Sequence, residues 1–233
     1  MWSGPRNLST ALMRSWENRP DTVVWDEPLY AYYLRETGID HPGRDEVLAS
    51  QDSDWRRVVD RLTGPVPHAA RIFYQKHMTH HLLPGVDRSR LRGLRHAFLI
   101  RHPCEVLASY ARVRAEPTVE DLGFPQQLEL FRSYGGPVLD ARNLLTAPEP
   151  ALRALCEHLG VPFCDRMLSW VAGPRESDGV WGRYWYDAVW RSTGFAPYRP
   201  PADPLPERLR PLLDACLPYY DELHAQRITV PES

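Results

Sequence analysis

The chain has 233 residues, 43% hydrophobic and 25% charged, which suits a single larger domain around one substantial core. A formal net charge of −2 gives no overall basic field, which argues against non-specific nucleic-acid binding and requires any anion site to be built locally. No apolar run is long enough to span a bilayer, no secretory pattern opens the chain, and Cys104, Cys156, Cys164 and Cys216 lack the close pairing of a zinc site or redox dithiol. The expected setting is therefore soluble, reducing and cytoplasmic. Cys156 and Cys216 fall in apolar helical patterns and are expected in the core.

The first element is a short strand, Met1-Trp2-Ser3, which is either stunted or begins upstream. The segment Ser3 to Ala11 then places turn formers, a cation and two hydroxyls ahead of a helical pattern from Leu8 to Asn18. Gly4 and Pro5 break the strand, Ser9 and Thr10 offer hydroxyl donors, and a helix starting beside them presents unpaired N–H groups and a positive dipole end. This reads as an anion-binding loop. The Walker pattern G-x-x-x-x-G-K-[ST] is absent, which opposes an ordinary ATP or GTP site.

Next come a strand over Thr22–Trp25, a helix over Asp45–Leu62, and a strand over Arg71–Gln75 after a Gly-Pro-Val-Pro break. The continuous apolar run His96–Ile100 predicts a strand covered on both faces, and Pro103 opens a helix to Arg114. A short strand is expected at Pro137–Asp140 and a helix at Pro148–Leu159, stopped by Gly160. Residues 174–206, rich in Pro, Gly, Trp and Tyr, read as a long ordered loop before a terminal helix over 206–225. Alternating strands and helices predict an α/β fold with a mainly parallel central sheet, helices on both faces, and ligands beyond the carboxyl ends of the strands.

Arg101 closes the His96–Ile100 strand and Ser109 lies in the helix that follows, so a forked cation and a directional hydroxyl are both available to a second phosphate. With two anion sites at neighbouring strand ends, the chain resembles the sulfotransferases that use 3′-phosphoadenosine 5′-phosphosulfate. Pro5-Arg6-Asn7-Leu8-Ser9-Thr10 is similar to that family's Pro-Lys-Ser-Gly-Thr-Thr loop, and Arg101-His102-Pro103 with Ser109-Tyr110 is similar to its 3′-phosphate motif. Lys76-His77 resembles its Lys-Thr-His element, and Asn143 to Phe163 its helix after the fifth strand. The Trp-Ser-Gly-Pro-Arg-Asn form resembles a bacterial sulfotransferase-like subgroup. The resemblance covers Ser3 to about Phe163, with Leu8 standing at the family's Gly position and Arg6 at its Lys.

The resemblance implies a P-loop-type sulfotransferase-like fold and sulfuryl transfer from that donor to a hydroxyl or amine of a small-molecule acceptor, without metal. Arg6, Asn7, Leu8, Ser9 and Thr10 would hold the 5′-phosphosulfate, Arg101 and Ser109 the 3′-phosphate, and Lys76 would be a second cation at the leaving group. Glu27, aimed by Pro28, or His77 would take the acceptor proton, with Glu27 preferred. His80 and His81 make the strand end His-rich without the partners a metal site needs. The tract Trp181–Tyr186, with Trp190 and Phe195, either walls the ligand site or packs as core. An ATP-dependent phosphotransferase and a catalytically silent nucleotide-binding protein are the alternative readings, and nothing in the sequence sets an oligomeric state.

Overall fold

The computed structural model describes residues 1–110, 116–201 and 203–230. Five strands, β1 (Trp2–Ser3), β2 (Thr22–Asp26), β3 (Ile72–Met78), β4 (Phe98–Ile100) and β5 (Val138–Asp140), form one sheet in the order β2-β3-β1-β4-β5, with every pairing parallel. The sheet is thus α/β and parallel, as the alternation predicts. The two-residue β1 lies at its centre: Ser3 is in register with Met78 of β3 on one side and Leu99 of β4 on the other. From β1 the chain passes to the edge strand β2 and returns to β3 beside β1, then crosses to β4 and β5 on the other side. The crevice beyond β1 is therefore the topological switch point, where open parallel sheets bind ligands.

Strand β4 illustrates why the sheet needs cover on both faces. Phe98 and Ile100 pack with Trp2, Val106, Leu107 and Leu128, whereas Leu99 between them packs with Leu12, Met13, Leu139 and Leu155. Successive side chains of a strand point to opposite faces, so an unbroken apolar run fits only a doubly covered strand. Cys156 and Cys216 are buried, one in each layer.

Between the strands run α1 (Ser9–Glu17), α2 (Tyr30–Thr37), α3 (Arg44–Ser50), α4 (Trp55–Leu62), α5 (Pro103–Tyr110), α6 (Val119–Leu122) and α7 (Phe124–Tyr134), and after β5 come α8 (Ala141–Thr146) and α9 (Pro148–His158). The helix expected over Asp45–Leu62 is two helices. Gln51 is extended, and the Asp54 carboxylate accepts from the Arg56 N–H to cap α4, because Asp and Ser favour turns and caps over helix interiors. The helix from Pro103 is seen to Tyr110, and its expected continuation over residues 111–114 lies outside the described residues.

The loop expected over 174–206 contains two short helices, α10 (Gly182–Trp185) and α11 (Asp187–Trp190). A 3₁₀ turn at Glu207–Leu209 leads into the terminal helix α12 (Arg210–Ala225). The late segment is pinned to α1 by Arg14, whose guanidinium pairs with both Asp178 oxygens and with Glu17 while only 1% exposed. The Trp190 indole donates to the same Asp178 at 2.9 Å.

At the centre of the sheet, the Trp2 indole N–H donates to His96 Nδ1 at 2.9 Å, and His96 Nε2 donates to the Leu91 carbonyl at 3.0 Å. Both ring nitrogens are thus used by the neutral tautomer, and burial pushes the His96 pKa down to about 4. The unfolded chain therefore takes up a proton near pH 6.5 that the fold refuses until about pH 4, so this ring's contribution to stability is full above pH 6.5 and is lost as pH falls. His96→Gln, whose amide can replace both hydrogen bonds, should shrink the loss of unfolding free energy between pH 7 and 4.5 by about 2–3 kcal/mol in urea titrations. Equal losses in both proteins would refute this. Asp178→Ala leaves the Arg14 charge buried without its bidentate partner and should cost about 3–5 kcal/mol by the same measurement.

Candidate active site

Four of the predicted positions meet because each lies at or just beyond the carboxyl end of a neighbouring strand: the loop after β1, Glu27 after β2, Lys76 near the end of β3, and Arg101 after β4. They line one cleft of about 460 Å³, together with Tyr30, His81, Ser109, Trp185 and Tyr186. A larger open depression of about 760 Å³ around Arg92, Tyr134 and His158 contains none of the predicted site residues.

The loop Gly4 to Leu8 enters α1 through two left-handed residues, Arg6 (φ 64°) and Leu8 (φ 67°). Leu8 is the N-cap of α1 and has no side-chain oxygen to satisfy the first turn, so the amides there keep the unpaired character of a helix start. Gly4 is needed for a different reason: a Cβ at this position would lie 2.3 Å from the Leu122 carbonyl oxygen. Asn7 is buried and donates to the Leu99 carbonyl at 3.3 Å, which ties the loop to β4. Ser9 is buried and Thr10 half-buried, both on the cleft wall.

The loop and the β4–α5 corner are joined directly. Arg6 Nε donates to Ser109 Oγ at 2.8 Å, and Arg101 Nη1 donates to the Arg6 carbonyl at 3.0 Å. Glu105 orients Arg101 by accepting from its Nε at 2.8 Å, and Tyr198 in turn donates to Glu105 at 3.0 Å. Two arginines and a serine from sequence segments about a hundred residues apart thus form one continuous edge, with donor geometry suited to phosphate oxygens.

The opposite wall centres on Lys76, the only lysine of the chain. Its ammonium is fully buried and donates to Asp26 Oδ1 at 2.8 Å, Glu27 Oε1 at 2.6 Å and Tyr186 OH at 2.8 Å. Burial works against this charge, but Asp26 and Glu27 outweigh it and hold the Lys76 pKa above its ordinary value. Burial pushes Asp26 up to about 6 despite the lysine beside it. All three ammonium protons are engaged, so Lys76 presents to the cleft a paired lysine and carboxylate rather than the bare second cation expected from sequence.

Of the two carboxylates, Glu27 is the one that lines the cleft. It is no surface carboxylate: its side chain is 11% exposed, and its backbone is in the left-handed region at φ 41°. Its N–H continues the β2–β3 ladder by donating to the Lys76 carbonyl at 2.9 Å, and Pro28 and the turn to Tyr30 follow at once. Strain of this kind costs on the order of 1–3 kcal/mol and persists where the surroundings enforce it, which is a common property of functional sites.

His77 does not reach the cleft. Adjacent to Lys76 on a strand, it points the other way, stacks on Trp2 with ring centroids 4.3 Å apart, and lines a separate cavity with Gln75 and His96. Burial holds its pKa well below the usual histidine range. His81, read from sequence only as part of a His-rich strand end, lies beside Glu27 instead. Its Nδ1 is 3.9 Å from Glu27 Oε2, and its ring is stacked between Tyr30 and Tyr33 with centroids 4.7 Å from each. Burial keeps this imidazole neutral at ordinary pH. Among the described residues no group of three or more His, Cys, Asp or Glu side chains is arranged to hold a metal.

The late aromatic tract packs partly as core and partly against the cleft. Trp181 and Tyr186 pack with Tyr30, Leu34 and Val47 as core, while Trp185 and Tyr186 line the cleft. Tyr186 belongs to the Lys76 cluster, a role carried by no local motif.

Residues 1–227 match the family profile described as Sulfotransferase domain. Two relatives from Arabidopsis thaliana bear the name branched-chain-amino-acid aminotransferase-like protein. Protein 2 is 37% identical over 228 residues, which is 95% of this chain and 40% of that protein, and protein 1 is 39% identical over 230 residues, 96% and 41% respectively. The chain thus spans about two-fifths of the length of these relatives. Two solved structures share the fold. The sulfotransferase domain from the curacin biosynthetic pathway matches with TM-score 0.50 and 17% identity, covering all of this chain and 92% of that one. The sulfotransferase domain from the Synechococcus PCC 7002 olefin synthase matches with TM-score 0.50 and 18% identity, covering all of this chain and 88% of that one. With its profile matched from end to end of the sheet and the cleft built at the strand ends, the chain belongs to the sulfotransferase domain family.

Proposed function

We propose that this enzyme transfers a sulfuryl group from 3′-phosphoadenosine 5′-phosphosulfate to a hydroxyl or amine of a small-molecule acceptor, acting as a single sulfotransferase-like domain in a reducing, cytoplasmic setting. The observation that carries this reading is the Arg6–Ser109 and Arg101–Arg6 bonding across the cleft from Glu27. A donor with two separated phosphates needs two linked anion sites, and the continuous edge from the β1 loop to α5 supplies them. In this assignment Arg101 and Ser109 take the 3′-phosphate. Arg6, Ser9, Thr10 and the first amides of α1 take the 5′-phosphosulfate.

During transfer the bond from sulfur to the bridging oxygen breaks as the bond from the acceptor oxygen or nitrogen to sulfur forms. The electron pair of the breaking bond stays on the 5′-phosphate, where Arg6 and the helix-start amides neutralise it. The acceptor proton passes to Glu27, which opens onto the same cavity. Lys76 keeps this carboxylate from rotating out of line. The acceptor itself rests against Tyr30, Ile39, His41, Trp185 and Val189, a wall more apolar than charged.

The aminotransferase wording of the plant relatives describes proteins more than twice the matched length, and the site here speaks against such chemistry. A pyridoxal phosphate enzyme forms its Schiff base on a lysine. The sole lysine of this chain is Lys76, buried between two carboxylates and a phenol.

Calorimetry with 3′-phosphoadenosine 5′-phosphate tests the donor site. Arg6→Ala and Arg101→Ala should each weaken binding by about 1–3 kcal/mol, the range for charge-assisted hydrogen bonds; unchanged affinity in both would remove the assignment. Glu27→Gln should keep nucleotide affinity while slowing transfer about a hundredfold or more. Full activity in that variant would move the proton acceptor to His81.

A further inference from the structure

Tyr186 is remote in sequence from every strand end that builds the cleft, yet its hydroxyl occupies the middle of the charged cluster. It accepts from Lys76 Nζ at 2.8 Å and from the Trp181 indole N–H at 2.9 Å, and it donates to Asp26 Oδ2 at 2.6 Å. Glu27 Oε1 lies 3.3 Å away. The ring also stands 5.0 Å from the ammonium. We propose that Tyr186 is a positioning residue that holds Glu27 toward the cleft, by fixing the Lys76 ammonium and the Asp26 carboxylate behind it.

The hydroxyl's capacity explains why a phenol suits this place. Its two acceptor sites are taken by Lys76 and Trp181, and its one proton goes to Asp26. Burial raises the phenol pKa well above its usual value, so the proton remains available to Asp26 across the working pH range. Without this hydroxyl, the ammonium would have only the two carboxylates to bind, and the buried Asp26 would lose a short donor. Lys76 would then settle toward Asp26 and release the grip at Glu27 Oε1, the atom that turns the carboxylate into the cleft.

The proposal takes from the sulfuryl-transfer reading what Glu27 does, but where Tyr186 holds the cluster is independent of it. The sole lysine makes the test direct, since protein labelled with ¹⁵N-lysine gives a single side-chain resonance. In wild type, three hydrogen bonds should give the Lys76 ammonium a sharp, slowly exchanging signal. Tyr186→Phe should shift that signal and speed its proton exchange. It should lower kcat about tenfold to a hundredfold, the scale of a small displacement of a reacting group, with affinity for 3′-phosphoadenosine 5′-phosphate within about twofold of wild type. In an Asp26→Asn background the same substitution should cost much less, because groups acting as one network are non-additive.

An unchanged ammonium signal with unchanged kcat, or full additivity with Asp26→Asn, would overturn the proposal. Should wild type transfer sulfuryl to no acceptor, the sulfuryl-transfer reading fails, while the ammonium signal still decides the role of Tyr186. If Tyr186→Phe does not fold, Trp181→Phe removes the indole donor to the same hydroxyl. It should move the ammonium signal in the same direction, and the absence of any movement counts against the proposal.

Discussion

A single buried ammonium organises one side of this cleft. Lys76 carries its charge into an interior where an unpaired cation is untenable, and it persists there because Asp26, Glu27 and Tyr186 meet all three of its protons. Each partner comes from a different structural level. Asp26 is Lys76's register partner across the β2–β3 pair, Glu27 is the strained residue that leaves that strand, and Tyr186 arrives from the late segment. A long arginine fork would not fit this arrangement as a compact ammonium does. The late segment must therefore be in place before the carboxylate wall exists, which makes the Arg14–Asp178 contact with α1 part of the same construction.

The other side follows from the shortness of β1. A two-residue strand at the centre of the sheet brings its following loop to the edge at once, level with the ends of β3 and β4. Its pairing is reinforced by side chains: Trp2 donates to His96, and the buried Gln127 amide of α7 donates to the carbonyls of Leu99 and Trp2. Arg101 and Arg6 then bind to each other's element rather than to the sheet, so the β1 loop and the β4–α5 corner are one unit mechanically.

The sequence is most legible where structure is written locally. The Gly-Pro turn after β1, the apolar run of β4 and the Pro that opens α5 are strand, turn and helix signals within a few residues of one another, and they place Arg6, Arg101 and Ser109 on one edge. Strand parity was equally available. Lys76 and His77 are neighbours on β3, so only one of them can face the cleft, and the sequence reading kept both. Helix α7 is obscured by Gln127, a polar residue in the buried stripe whose reason is the backbone it bonds across the sheet. Nothing within reach of Lys76 along the chain announces Tyr186, and nothing near Glu27 announces His81 as a buried neighbour. Those pairings depend on tertiary packing of segments that carry no periodicity of their own.

The loop after β1 turns twice through left-handed backbone without using glycine for it, at Arg6 and Leu8. Leu8 also lodges its side chain against the core layer beneath α1. A glycine there would leave the disordered chain many more conformations and the folded loop no anchor. The branched residue narrows the loop's wandering beforehand, so the entry into α1 is set by packing and little is left to be ordered at the cleft edge.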